Sequence, residues 1–145
     1  VQVGIPWNLF VIRFDESSTI GNANEFGYFI NCKYKGITEN NTEITESAER
    51  AENVTVSMEG CLSIRSKTGQ LRLFQVERYK RVIIDGFKLC VEPKCNEFNL
   101  IDFKKVIDMK NQGVVYQHEI DHAFGILISN IGKELNWEDI RNGFN

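Results

Sequence analysis

The stretch QHEIDH (Gln117–His122) places two histidines four residues apart, with Glu119 directly after the first. On a helix, positions i and i+4 share a face, so both imidazoles can reach one ion. Zinc and iron accept imidazole nitrogen readily. The glutamate beside the first ligand is not expected to ligate. It sits where it can take a proton from a water that the ion activates, which is the mechanics of the H-E-x-x-H pattern. The competing reading is an amphipathic helix with two ordinary histidines. Against it, His118 and His122 are the only histidines in the chain, and both stand in this pattern.

A catalytic ion of this kind needs a third protein ligand and an open position. With no third histidine, SMEGCLSIRSKTG (Ser57–Gly69) supplies Cys61 as a candidate. An isolated cysteine is more often a small buried hydrophobe. Cys32, Cys90 and Cys95 are rivals that spacing does not separate from Cys61.

The elements around these residues are legible in outline. WNLFVIRF (Trp7–Phe14) and YFINCKY (Tyr28–Tyr34) read as strands, rich in β-branched and aromatic residues. Between them Asp15–Gly27 is a polar loop. Thr38–Thr55 is acidic and nearly free of large apolar groups, so a mobile surface loop with room for a helical turn is expected. Leu71–Phe87 carries one or two strands with Asp85-Gly86 as a turn, and Asn96–Ile107 continues the strand character. From Asp108 the period becomes helical: Val115, His118 and His122 share a face, Asp108 suits an N-cap and Gly125 a stop. Gly113 falls inside this helix as a weak point. Leu135–Phe144 reads as a short final helix. Strands followed by a helix predict an α+β fold, with antiparallel strands packed around a central helix that carries the H-E-x-x-H pattern.

The length of 145 residues suits one domain, and 42% hydrophobic residues suffice for a core. The net charge of −3, from 17 basic and 20 acidic residues, suggests no nucleic-acid specificity and no anionic-membrane surface. The longest purely apolar run, Leu9–Ile12, is far too short to span a bilayer. Four irregularly spaced cysteines point to a reduced, intracellular compartment rather than a disulfide framework. The chain begins at Val1 and is apolar at once, so an upstream part of the domain is expected to precede it.

EGCLS (Glu59–Ser63) followed far downstream by QHEIDH resembles the motif pair of peptide deformylases, which hydrolyse the formyl group from N-formylmethionine on newly made chains. VQVGIP (Val1–Pro6) resembles the end of the family's glycine-rich first motif, whose glycines are absent here, and INC (Ile30–Cys32) stands where the family commonly has I-N-P. The resemblance implies that Cys61, His118 and His122 hold one divalent metal ion, Fe(II) in most of the family, with zinc, nickel or cobalt as substitutes. It implies Glu119 as general acid/base, and the Gln2 side-chain amide and Leu62 backbone N–H as oxyanion donors. Gly60 would offer its backbone to the substrate peptide, and Val114 and Val115 would line a methionine pocket, though core packing is the simpler role for both valines. Arg78 matches a family arginine for which a surface or salt-bridge role is expected. The implied partners are N-formylmethionyl nascent peptides, with transient proximity to the ribosome, in the cytoplasm or an organelle. Arg65 and Ala123 depart from the family's usual proline and leucine, and Thr38–Thr55 is longer than usual. Two other readings are an unrelated H-E-x-x-H metallopeptidase, which would not need Cys61, and a catalytically inactive relative that binds peptides.

Overall fold

The computed structural model describes residues 8–16, 18, 20–22, 25–92 and 97–136. In chain order its elements are β1 (Leu9–Arg13), β2 (Phe26–Gly36), α1 (Ser47–Asn53), β3 (Val54–Arg65), β4 (Leu71–Tyr79), β5 (Arg81–Glu92), β6 (Glu97–Asp108), α2 (Gly113–Ala123), α3 (Ile128–Ile131) and β7 (Lys133–Glu134). The strands form two antiparallel sheets, one ordered β1-β2-β5-β6 and the other β3-β4-β7. The fold is α+β and strand-rich.

Alternation along β1 turns Phe10 and Ile12 inward and leaves Leu9, Val11 and Arg13 outward. With Phe29, Val82, Ile84, Phe103 and Ile107 from the same sheet they meet Tyr116 and Ile120 of α2. The Tyr116 ring stands edge-on to Phe29 at 5.2 Å, so the helix that carries both histidines is seated on an aromatic floor. A smaller cluster of Cys61, Ile64, Phe74, Val76 and Ile128 packs the second sheet against α3.

Four local expectations change. Asp85-Gly86 is not a turn but mid-strand in β5, where Asp85 pairs with Lys33 and with Lys104. Gly86 is there because a Cβ would meet the Cys32 Sγ at 2.6 Å and its Cα at 2.8 Å, at the irregularity of β2 between Ile30 and Lys33. The chain instead changes sheet at Lys80, whose backbone N–H donates to Asn53 O and whose carbonyl accepts from Met109 N–H. Asp108 is not the N-cap of the helix. It still pairs with Arg81 at the end of β6, a 3-10 turn over Met109–Asn111 follows, and Gln112 caps α2 in the left-handed region at φ 64°. Gly113 is thus the first residue of α2 rather than an interior weak point, and a Cβ there would stand 2.6 Å from the Asp108 carbonyl oxygen. The helix does end before Gly125, as its glycine suggests. Thr38–Thr55 contains α1, which buries no residue of its own and is tied to the Lys80 corner through Asn53 and Glu52. The final helix expected over Leu135–Phe144 lies outside the described residues beyond Asn136.

Gln117 locks α2 to that corner. Its Oε1 accepts from Tyr79 N–H at 3.0 Å and its Nε2 donates to Tyr79 O at 3.0 Å, with Gly113 O at 3.2 Å. Tyr79 ends β4, so a buried side chain completes the backbone pairing the strand loses there. Gln117→Leu should therefore cost about 1–3 kcal/mol by leaving these backbone groups unsatisfied, read as a lower urea midpoint at unchanged slope.

Candidate metal centre

The β3–β4 pairing carries the first half of the site. Register holds from Val54↔Tyr79 to Gly60↔Leu73 and resumes at Arg65↔Leu71, so Cys61–Ile64 stand opposite Arg72 alone. Alternation from buried Glu59 through exposed Gly60 turns Cys61 inward, and the bulge then leaves Leu62 and Ser63 both exposed before Ile64 turns in again. Arg65, in the place of the family's usual proline, braces the bulge: its Nε donates to Leu62 O at 3.3 Å and its Nη1 to Gly69 O at 3.2 Å.

Across from the bulge, α2 presents His118 and His122. Cys61 Sγ lies 3.2 Å from His122 Nε2, and the two Nε2 atoms are 3.1 Å apart. One ligand atom from each of the three residues falls within 4.8 Å of the others, and Cys61 and His122 are 2% and 6% exposed. Among the described residues no other such group of three forms. The rival cysteines separate by place: Cys32 is buried in the aromatic core, its thiol pushed up to about 11 by burial, and Cys90 is on β5 of the other sheet. Cys95 and Gln2 lie outside the described residues.

The side chains behind His118 fix its orientation. Glu59 Oε2 accepts from His118 Nδ1 at 2.9 Å, and since an ionised carboxylate only accepts, the proton is on Nδ1 and Nε2 carries the lone pair. Arg78 holds Glu59 with both forks, Nε to Oε1 at 2.7 Å and Nη2 to Oε2 at 2.9 Å. Its Nη1 goes to Asp121 Oδ2, and Asp121 Oδ1 accepts from the Tyr34 hydroxyl at 2.8 Å. Arg78, Glu59 and Asp121 are all buried, so the expected salt bridge of Arg78 is present but a surface position is not. Sequence reasoning gave Glu59, Asp121 and Tyr34 no role. A signal existed for Arg78: it shares strand parity with Phe74 and Val76, both core residues, so its side chain had to point inward.

Charge in the cluster follows from these contacts. Burial disfavours a protonated His118, but the hydrogen bonds to Glu59 and Cys61 outweigh it and hold His118 above its ordinary range. His122 is pushed down, by burial and then by the charge on His118. Burial raises Glu119 above the ordinary carboxylate range despite the opposing charge of His118. Glu59 moves the other way: burial alone would raise it, yet the Arg78 and His118 hydrogen bonds bring it below its ordinary 4.5. A lowered carboxylate stabilises the fold above that ordinary value and loses the contribution as pH falls through the folded one. Glu59→Gln should flatten the acid side of a plot of urea midpoint against pH.

The donor set fits a divalent ion: a sulfur and two imidazole nitrogens converge, one imidazole is held by a carboxylate, and three protein donors leave a position open. Gly60 and Leu62 flank Cys61 on exposed backbone. Val115 is exposed on the same helical face as His118 and His122, and Val114 is half-buried beside it.

No curated protein matches the chain. A family model described as polypeptide deformylase matches residues 1–136. That span takes in the cysteine strand, the histidine helix and every segment between them, and the chain therefore belongs to the polypeptide deformylase family.

Proposed function

We propose that residues 1–145 form one catalytic domain that removes the formyl group from N-formylmethionine at the start of newly made polypeptides. The observation that carries this is the convergence of Cys61, His118 and His122 on one point, with His118 anchored by Glu59. Those three residues would hold one divalent ion, Fe(II) by family habit, with zinc, nickel or cobalt as substitutes. Such an ion supplies Lewis acidity to the formyl carbonyl and lowers the pKa of water.

The chain's own groups do the rest. Glu119, raised by burial, is the base that takes a proton from water and the acid that returns it to the leaving amine. The Leu62 backbone N–H, on the bulge that Arg65 braces, is a donor toward the developing oxyanion, with the Gln2 amide as its partner. Strand β3 is the edge of its sheet, so the substrate peptide can add beside Gly60 by strand pairing. The methionine side chain would lie against Val115 and Val114. We assign α2 the role of the central helix about which the two sheets are arranged, since it touches β1 and β2 of one and β4 of the other. A formylated substrate places the protein near the ribosome, in the cytoplasm or in an organelle that starts chains with formylmethionine.

The test is formate release from a formyl-Met tripeptide by the chain loaded anaerobically with Fe(II), or with nickel. Turnover that needs the ion is expected, and no turnover with one ion bound per chain would overturn the reading. Cys61→Ser is expected to abolish stoichiometric metal retention through a desalting column, because a hydroxyl is a far poorer ligand than a thiolate. A variant that keeps one ion per chain would remove Cys61 from the ligand set. Among the described residues, no helix is long and apolar enough to cross a membrane.

A further inference from the structure

A cavity of about 570 Å³ lies behind α2, and none of Cys61, His118 and His122 lines it. It is walled on the helix side by Gln117, Ile120, Asp121 and Phe124, a stripe distinct from the one that carries the histidines. The opposite wall comes from the acidic segment Thr38–Thr55. Ile44 and Val54 stand at either end of α1, and Arg50 projects from α1 between them. Ile126 and Ile131 close the apolar side.

The rim has a definite charge balance. Lys35 and Glu43 satisfy each other at 2.8 Å, and the buried Arg78 below them is shared between Asp121 and Glu59. Of the remaining charged side chains that line the cavity, Lys33 and Arg50 are basic and Glu77 is acidic. Arg50 is held over the Tyr79 ring, another lining residue, at 5.4 Å. On the floor, Tyr34 donates to Asp121, and an unbroken line of hydrogen bonds runs on through Arg78 and Glu59 to His118.

We propose that this cavity is a second ligand site for a small organic anion with an apolar body, its carboxylate at Lys33 and Arg50, and that its occupancy is felt at His118 through Tyr34 and Asp121. The inference does not depend on which reaction the metal centre performs.

The zinc-loaded full chain, labelled with nitrogen-15, would be titrated with 4-phenylbutyrate, its primary amide and 4-phenylbutylamine. Saturable shifts are expected at the amides of Ile44, Ile120 and Phe124 and at the His118 Nδ1–H signal. The amide and the Lys33→Gln variant should each bind roughly fivefold more weakly, as expected for loss of one exposed charge contact. In Tyr34→Phe the probe should still bind while the His118 signal no longer moves. The proposal is overturned by an absence of saturable shifts, by shifts centred on Val115 and Leu62, or by an amine that binds as well as the acid. A His118 response that persists in Tyr34→Phe overturns the coupling. Failure of the deformylase assay alone would leave all these readouts intact.

Discussion

Glu119→Gln should lower kcat for formate release by about 10²–10⁴-fold, the usual contribution of a positioned acid/base group. Glu119 follows His118 on α2, is half-buried and makes no hydrogen bond among the described residues. Its carboxylate is therefore available to water and substrate rather than committed to the fold. The amide is isosteric and leaves Cys61, His118, His122 and Glu59 untouched, so metal content and thermal midpoint should stay at wild-type values. Burial raises the Glu119 pKa, and a base works only when deprotonated. Activity should thus fall as pH drops through the pKa of the Glu119 carboxyl, and that limb should vanish in the variant. Stopped-assay kcat beside metal analysis decides the matter: a metal-replete variant within about tenfold of wild type would remove Glu119 from the mechanism.

Arg78→Leu should cost about 3–5 kcal/mol of stability, because it strands two buried carboxylates at once. Glu59 loses both forks and Asp121 loses its charged donor, with side chains only 5% and 8% exposed. Against a total stability of about 5–15 kcal/mol for a domain of this kind, the loss is large enough to lower soluble yield. Arg78→Lys should recover little of it, since an ammonium cannot span Glu59 and Asp121 in one plane. Urea unfolding of the metal-free forms separates this from any effect of the ion. A loss below about 1 kcal/mol would mean that the pair is effectively solvated.

How far the sequence foretold this molecule depends on the range of the interaction. His118, Glu119 and His122 lie within one helical turn, so spacing alone brings them together, and Cys61 could be singled out through its motif. The network behind them joins residues 19, 43 and 87 positions apart, and no local period announces such partners. Asp108 is a good cap residue by type, but pairing with Arg81 keeps it in β6 and the helix starts five residues later. Asp85-Gly86 is a good turn by type, but the glycine serves the close approach of Cys32. In both places a tertiary contact overrode a local preference. Thr38–Thr55 contains α1 although it buries nothing, because Lys80 supplies partners from outside the segment.

The Gln117 clamp joins the two halves of the site. Through it, the histidine helix is fastened to the end of β4, and β4 is paired to the strand that presents Cys61. Cys61, His118 and His122 thus share one frame built from backbone pairing and the Gln117 clamp, and the aromatic core under Tyr116 contains none of them. An ion held there would be a guest in a finished socket rather than a rivet in the fold, so stripping and reloading it should be a cycle the chain can repeat.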